Sequence, residues 1–270
     1  MSKKQSPKQP SGWEPVADWY DGWMGKHGSD HHRHLAIPTV LDLLQPQKGE
    51  HVLDIGAGQG VLAPHVIQHG AAYTGIDISQ RLIKMARNHH RKLPNAPPSR
   101  FLVGDARRLS NAVGIEPISF DAVVFLLSIQ DMNPLEDVVA SARWALRDSG
   151  RLVILMTHPC FRIPRQSGWG YDDGRKLQYR RVDHYLSPLT IPMKSYAHGR
   201  GKTISFHRPL SAYINTLSDN GLLIDGLREV TSYKISPDKA VRRADQEIPL
   251  FLALRARKLP DESLDESPQS

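Results

Sequence analysis

The chain has 270 residues, 40% hydrophobic and 23% charged, which suits one larger globular domain and excludes both a disordered polyampholyte and a membrane bundle. The net charge of +7 sits in one segment: between His158 and Arg208, ten bases are opposed only by Asp172, Asp173 and Asp183. A lone cysteine, Cys160, excludes a disulfide framework and a cysteine-based zinc cluster. No apolar run approaches the ~18 residues of a membrane helix, and the first residues lack the apolar core of a signal peptide, so a cytoplasmic protein without a membrane partner is expected.

Residues 1–12 are Lys, Gln, Ser and Pro without apolar period and read as a disordered basic tail. Two amphipathic helices follow, over 16–23 and 35–44, the second with Pro38 in its first turn, and make a helical cap at 13–48. Strands at 51–55, 72–76, 101–103, 120–127 and 151–156 then alternate with helices at 61–69, 80–88 and 135–146. The triplet Asp148-Ser149-Gly150 is read as a helix terminator. Residues 157–206, rich in Arg, Tyr, Trp, Pro and Gly, break the alternation and are expected to form a lid. Order returns with a helix at 210–220, a strand at 222–229, a helix at 240–246 and a strand at 249–256, before an acidic tail from 259 to 270. Strands alternating with helices predict a parallel sheet covered on both faces, one domain over 13–258, and a ligand at the carboxyl ends of the strands.

Candidate chemistry begins at Asp54-Ile55-Gly56-Ala57-Gly58-Gln59-Gly60, between the first strand and its helix. Glycines at alternate positions let a backbone turn sharply and approach a ligand. Dinucleotide folds use such a loop too, but their fingerprint needs a further glycine where this chain has Val61. The carboxylate of Asp54 repels a diphosphate and suits an ammonium or sulfonium. Asp77 ends the second strand, where it can accept both ribose hydroxyls, and Asp105 ends the third, where it can accept from an adenine amino group. Helix capping is the plainer role for each aspartate alone. Together they describe an amino acid, a ribose and an adenine, which is S-adenosylmethionine, with S-adenosylhomocysteine as its product.

With these motifs, the chain resembles the class I S-adenosylmethionine-dependent methyltransferases from about Trp19 to Lys258. Val52-Leu53-Asp54-Ile55-Gly56-Ala57-Gly58-Gln59-Gly60, Gly75-Ile76-Asp77-Ile78 and Gly104-Asp105-Ala106 carry the resemblance. It is also similar to a bacterial group that shares Trp19-Tyr20-Asp21, His158-Pro159-Cys160-Phe161-Arg162, Gln178-Tyr179-Arg180-Arg181 and His207-Arg208-Pro209-Leu210. The resemblance implies a Rossmann-like α/β fold with a seven-stranded sheet of order 3-2-1-4-5-7-6, the seventh strand antiparallel, and a lid insertion after strand five. It implies cofactor contacts at Tyr20, Asp54, Gly56, Gly58, Gly60, Asp77, Ile78, Asp105, Ala106 and Leu127.

Methyl transfer needs an aligned acceptor and often a base, but no covalent intermediate. Gln130 and Asp131 follow the fourth strand, where the methyl group lies in such folds, and can orient an acceptor or simply cap a turn. The Asn/Asp-Pro-Pro-aromatic signature of exocyclic-amine methylation is absent there. His158 and His207, at the two ends of the insertion, are candidate bases. Arg162, Trp169, Tyr179, Arg181 and Tyr185 are candidates to hold an aromatic or anionic small-molecule acceptor. Tyr179 and Arg181 are expected to face the pocket. An Arg-aromatic mixture also binds single-stranded nucleic acid, so an RNA methyltransferase is one alternative, and a non-catalytic cofactor-binding partner subunit another. Asp30-His31-His32-Arg33-His34 lacks the four-residue spacing of a helical zinc site, and no metal is expected. Tyr20, with His32 or Arg33, is expected over the cofactor mouth, on a segment that Gly25 and Gly28 allow to move.

Overall fold

The structure, a computed structural model, describes residues 12–93, 97–194 and 202–260. The tails expected at 1–12 and 259–270 lie outside it except for Gly12, Leu259 and Pro260, as do Tyr196 and Arg200 of the insertion. In chain order the elements are α1 (Ala17–Met24), a π-helical turn (His32–Ala36) running straight into α2 (Ile37–Leu44), β1 (His51–Ile55), α3 (Ala63–Gln68), β2 (Ala72–Asp77), α4 (Gln80–His89), β3 (Ser99–Val103), β4 (Phe120–Leu126), α5 (Leu135–Ala145) and β5 (Leu146–Thr157). Next come β6 (Ser167–Asp172), β7 (Leu177–Val182), β8 (Leu189–Lys194), β9 (Lys202–His207), α6 (Leu210–Asp219), β10 (Leu222–Val230), α7 (Lys239–Glu247) and β11 (Phe251–Lys258).

Seven strands form the main sheet in the order β10-β11-β5-β4-β1-β2-β3. β11 runs antiparallel to both of its neighbours, while β1 to β5 are parallel. With the insertion strands set aside, this is the expected 3-2-1-4-5-7-6 arrangement. The physical cause is legible strand by strand. In β4, Val123 and Phe125 join one buried cluster and Ala122 and Val124 the other; in β5, Leu152, Ile154 and Met156 alternate in the same way with Val153 and Leu155. A strand apolar on both faces must be covered on both. Helices α5 and α6 cover the first face, and α2, α3 and α4 the second.

Two expectations are corrected. Residues 148–150 do not separate a helix from a strand, because β5 already starts at Leu146. The irregularity is absorbed inside the strand by a positive φ at Ser149 and a register shift against β4 between Phe120 and Ala122. The insertion is not a plain loop either. It folds into two antiparallel hairpins, β6–β7 and β8–β9, each a separate two-stranded sheet. The backbone polar groups of these four strands thereby find partners without joining the main sheet.

Candidate functional site

The crevice forms where β1, β2 and β4 end. Asp54, second to last in β1, is buried at 1% exposure, and its Oδ2 accepts the Tyr73 hydroxyl at 2.7 Å. Its Oδ1 is buried without a hydrogen-bond partner among the described residues. Burial outweighs the Tyr73 hydrogen bond and pushes this carboxyl up to about 7. An orphaned carboxylate oxygen beside a glycine loop is a costly feature that an ammonium ligand would satisfy.

The loop glycines have different reasons to be glycine. All three have positive φ. A Cβ on Gly60 would meet the Phe101 ring at 2.5 Å, and one on Gly56 would meet Ser128 at 2.6 Å and Met132 at 2.7 Å. Those two are required by packing within the protein. A Cβ on Gly58 would touch only Tyr20, at 3.6 Å, so Gly58 is the glycine that faces the crevice. Its amide donates to Asp77 Oδ2 at 2.9 Å, while Asp77 Oδ1 accepts the Ser79 amide at 2.8 Å. Asp77 is therefore fixed at the end of β2, with burial pushing its carboxyl up. Ser79, not Asp77, caps α4. Beyond Asp77, Ile78 and Val103 hold exposed apolar side chains at the ends of β2 and β3, suited to flank a flat ring. Val103 was not singled out from sequence, because an apolar strand residue ordinarily signals core.

Asp105 departs from its expected role. Its two oxygens are clamped by the Arg107 guanidinium at 2.6–3.1 Å and accept the Arg107 amide at 3.0 Å. Burial pushes the Asp105 carboxyl up, but the Arg107 hydrogen bonds win and hold it below its ordinary value. Its lone pairs are thus already engaged. Ala106 beside it packs partly against the core.

The helical cap closes over this crevice. Glu14 accepts the Ser79 hydroxyl at 2.5 Å, Asp18 pairs with Arg81, and Asp21 pairs with His89 at 2.7 Å. From the loop, Gln59 donates to the Gly25 carbonyl at 2.6 Å. Tyr20 is held in the middle: burial first, then the charges of Asp77, Asp131 and Asp54, push its phenol above its ordinary value. His32 is buried against Gly28 and bonds Ser29 at 2.9 Å, whereas Arg33 turns outward to Asp30. His31 and His34 pack on Tyr233. His32 therefore points away from His31 and His34.

Past β4 the chain turns at Leu127, whose φ of +54° is rare for a bulky side chain. Ser128 donates to the Ile55 carbonyl at 2.7 Å, drawing this turn over the glycine loop. In the short helical turn Ile129–Asp131, Gln130 Nε2 donates to the Leu127 carbonyl at 2.7 Å and its Oε1 is buried without a hydrogen-bond partner among the described residues. Asp131 keeps partial contact with solvent, yet the surrounding protein pushes its carboxyl up to about 7, against a hydrogen bond from Ser205.

The insertion rearranges the remaining candidates. His158 is 2% exposed, with Nε2 at 2.9 Å from Glu229 and Nδ1 accepting the Cys160 amide at 3.2 Å. Both ring nitrogens are engaged, so it braces the start of the insertion. His207 Nε2 donates to the Tyr185 carbonyl at 2.7 Å. The Tyr185 hydroxyl accepts the Leu210 amide at 3.0 Å and lies 3.4 Å from the Cys160 thiol, tying insertion to α6. Trp169 is held between the guanidiniums of Arg162 and Arg180, 5.1 and 5.2 Å from its ring. Strand alternation puts Tyr179 and Arg181 on the other face of that hairpin. Tyr179 lies across Gly170, and Arg181 pairs with Asp183 at 3.0 Å. Both contacts stay within the hairpin, and both side chains are exposed. Arg180, rather than Arg181, is the residue that meets Trp169, because it pairs directly with it across β6 and β7.

Residues 53–154 match the family model described as a methyltransferase domain. A demethylmenaquinone methyltransferase of Tropheryma whipplei is 34% identical over 123 residues, 45% of this chain and 48% of that protein. A ubiquinone biosynthesis O-methyltransferase of Coxiella burnetii is 40% identical over 76 residues, 27% of this chain and 32% of that protein. The chain thus spans about half the length, or less, of these curated relatives. Among solved structures, an S-adenosylmethionine-dependent methyltransferase of Mesorhizobium loti superposes with a TM-score of 0.65 at 23% identity, covering 87% of this chain and all of that one. No helix among the described residues is long and apolar enough to cross a membrane. The sheet order and the matched segment agree: residues 53–154 match a methyltransferase domain, and the chain has the fold of the class I S-adenosylmethionine-dependent methyltransferases.

Proposed function

We propose that the protein binds S-adenosylmethionine in this crevice and transfers its methyl group to a small aromatic or anionic acceptor. The observation that carries the reading is the partnerless, buried Oδ1 of Asp54 beside a glycine loop, with Asp77 fixed at the neighbouring strand end by two backbone amides. Asp54 would receive the ligand's ammonium and Asp77 its ribose hydroxyls, while Ile78 and Val103 would flank the adenine. When bound, the cofactor supplies an electrophilic methyl group on a sulfonium. The chain's part is to orient the acceptor and keep water out. Tyr20 and the cap close one side, and the hairpins of the insertion the other.

The insertion's charge supports a small acceptor over RNA. Arg162 and Arg180 are committed to Trp169 and to backbone carbonyls, Arg175 and Arg181 pair with Asp172 and Asp183, and Arg208 is buried. Arg162, Arg180 and Arg208 are thereby withheld from any exposed stripe that could meet a phosphate backbone. Two guanidiniums facing one half-exposed indole suit a flat ring or a single anionic group. Burial, then the charge of Arg180, lowers the Arg162 guanidinium to about 10, a strain that an anion would relieve. The names of the quinone-pathway relatives agree with a small ring acceptor.

The direct test is thermal. S-adenosylhomocysteine at 100 times its dissociation constant should stabilise the wild type by about 2.7 kcal/mol, and Asp77→Ala should remove most of that shift. A folded wild type that shows no shift at millimolar ligand would refute the reading.

A further inference from the structure

A second recess lies outside the crevice, on the open edge of the main sheet. There β3 is the last strand, and the carboxyl-terminal end of α4 packs beside it. Between them is a cavity of about 490 Å³, within the range of small-molecule sites, roughly 300–1,000 Å³. Arg87, His90, Arg91, Leu93, Arg100 and Phe101 line it, and no described residue of its lining is acidic. Arg87 is planted across the strand edge, where its Nε and Nη2 donate to the Phe101 carbonyl at 3.1 and 2.6 Å. Arg91 and Arg100 are exposed and make no hydrogen bond or ion pair with any described residue. Burial lowers the His90 imidazole to about 4, so its ring is neutral near pH 7 and the recess takes its charge from the guanidiniums.

The floor of this recess backs onto the glycine loop. The Phe101 and His90 rings stack at 5.5 Å with their planes 17° apart, and both side chains are buried. A Cβ on Gly60 would meet Phe101 at 2.5 Å and His90 Cδ2 at 3.2 Å. His90 Nε2 donates to the Gln59 carbonyl at 3.1 Å, and Gln59 Nε2 carries the contact on to the cap at the Gly25 carbonyl. The two rings therefore touch the recess on one side and the loop on the other.

We propose that this recess binds a phosphate-bearing small molecule, and that its occupancy raises the affinity of the crevice for the cofactor. The binding stands on the cavity alone, whereas the coupling rests on the cofactor reading above. Guanidiniums gathered without a counter-charge repel one another, and the several oxygens of a phosphate can answer more than one of them. Leu93 and the Phe101 ring give the ligand's organic part an apolar surface. A filled recess keeps Phe101 and His90 against Gly60 and Gln59, so the loop has less freedom left to lose when the cofactor binds. The linkage is reciprocal, and such couplings are typically about 5–150-fold.

The probe is uridine 5′-monophosphate, titrated by calorimetry into protein saturated with S-adenosylhomocysteine, so that the crevice is already filled. Saturable binding is expected, weakened about tenfold or more in the double variant Arg91→Ala, Arg100→Ala. Both side chains are exposed, so the variant's melting temperature should match the wild type and confirm that it folds. Inorganic phosphate should bind about tenfold more weakly than the nucleotide, because it has no organic part to rest on Leu93 and Phe101. With the nucleotide bound, S-adenosylhomocysteine should bind about fivefold tighter, a gain missing from the double variant. No nucleotide binding, equal binding by both proteins, or an unchanged S-adenosylhomocysteine affinity would overturn the proposal. If the wild type binds no S-adenosylhomocysteine, the cofactor reading falls and the coupling with it, while the same titration on the unliganded protein still decides the recess.

Discussion

Asp54→Asn is expected to stabilise the ligand-free protein at pH 8 while abolishing its response to S-adenosylhomocysteine. The carboxyl of Asp54 lies at about 7 in the folded chain, raised by burial from its ordinary 3.8. A raised carboxyl contributes its full stability below about pH 4 and loses it as pH rises through 7, because folding then holds a buried charge. At pH 8 that cost is about 4 kcal/mol by the shift alone. An asparagine keeps the shape and can still accept from Tyr73 without the charge, so a rise of about 8 °C in melting temperature is expected. The same change removes the counter-charge for the ligand's ammonium. S-adenosylhomocysteine affinity should fall by at least a hundredfold, the expected scale for losing one partner of a buried charge pair. In the wild type that affinity should also weaken about tenfold from pH 8 to pH 6, as Asp54 takes up a proton. Thermal melts of both proteins, with and without ligand, check each part. A variant that is less stable at pH 8 and still binds would contradict the assignment.

Gly60→Ala and Gly58→Ala are expected to fail in opposite ways. At Gly60 a Cβ would meet the rigid Phe101 ring at 2.5 Å on a backbone with φ of +79°. Left-handed strain and overpacking together should cost about 3 kcal/mol of stability. At Gly58, φ is +54° and the added atom would touch only Tyr20, at 3.6 Å, so about 1 kcal/mol is expected from the backbone. That atom enters the crevice, however, and should weaken S-adenosylhomocysteine at least tenfold. Urea unfolding and calorimetry on the two variants separate the effects. Equal stability loss in both would show that the loop acts as one structural unit.

The fold was legible because the chain's parallel strands are apolar on both faces, and the alternation of strands with helices leaves few arrangements. The placement of Asp54, Asp77 and the glycine loop at strand ends was legible for a related reason: sequence position fixes location there. Asp105 shows the limit of that argument. Its position at the end of β3 is as expected, but Arg107, two residues away, claims its oxygens, and spacing alone does not show which way an arginine folds.

The acceptor side was less legible because it is assembled across the chain. Asp131 was legible as a residue able to orient an acceptor or cap a turn, but the burial that raises its carboxyl comes from elements far away in the chain. The insertion was read as a lid without regular structure, since Gly168 and Gly170 dilute the period-two pattern of β6. The structure pairs those glycines with Arg181 and Tyr179 of β7, and the large side chains crossing them give the hairpin its surface. Which face of a hairpin packs inward depends on the elements beneath it. Arg180 rather than Arg181 meets Trp169 for that reason.

The central claim is that aspartates at neighbouring strand ends hold S-adenosylmethionine, and it is tested most directly by titrating the folded wild type with S-adenosylhomocysteine at pH 8 in a calorimeter. The account predicts saturable binding of one ligand per chain, lost in Asp54→Asn. No heat of binding at millimolar ligand, or binding unchanged in that variant, would contradict it.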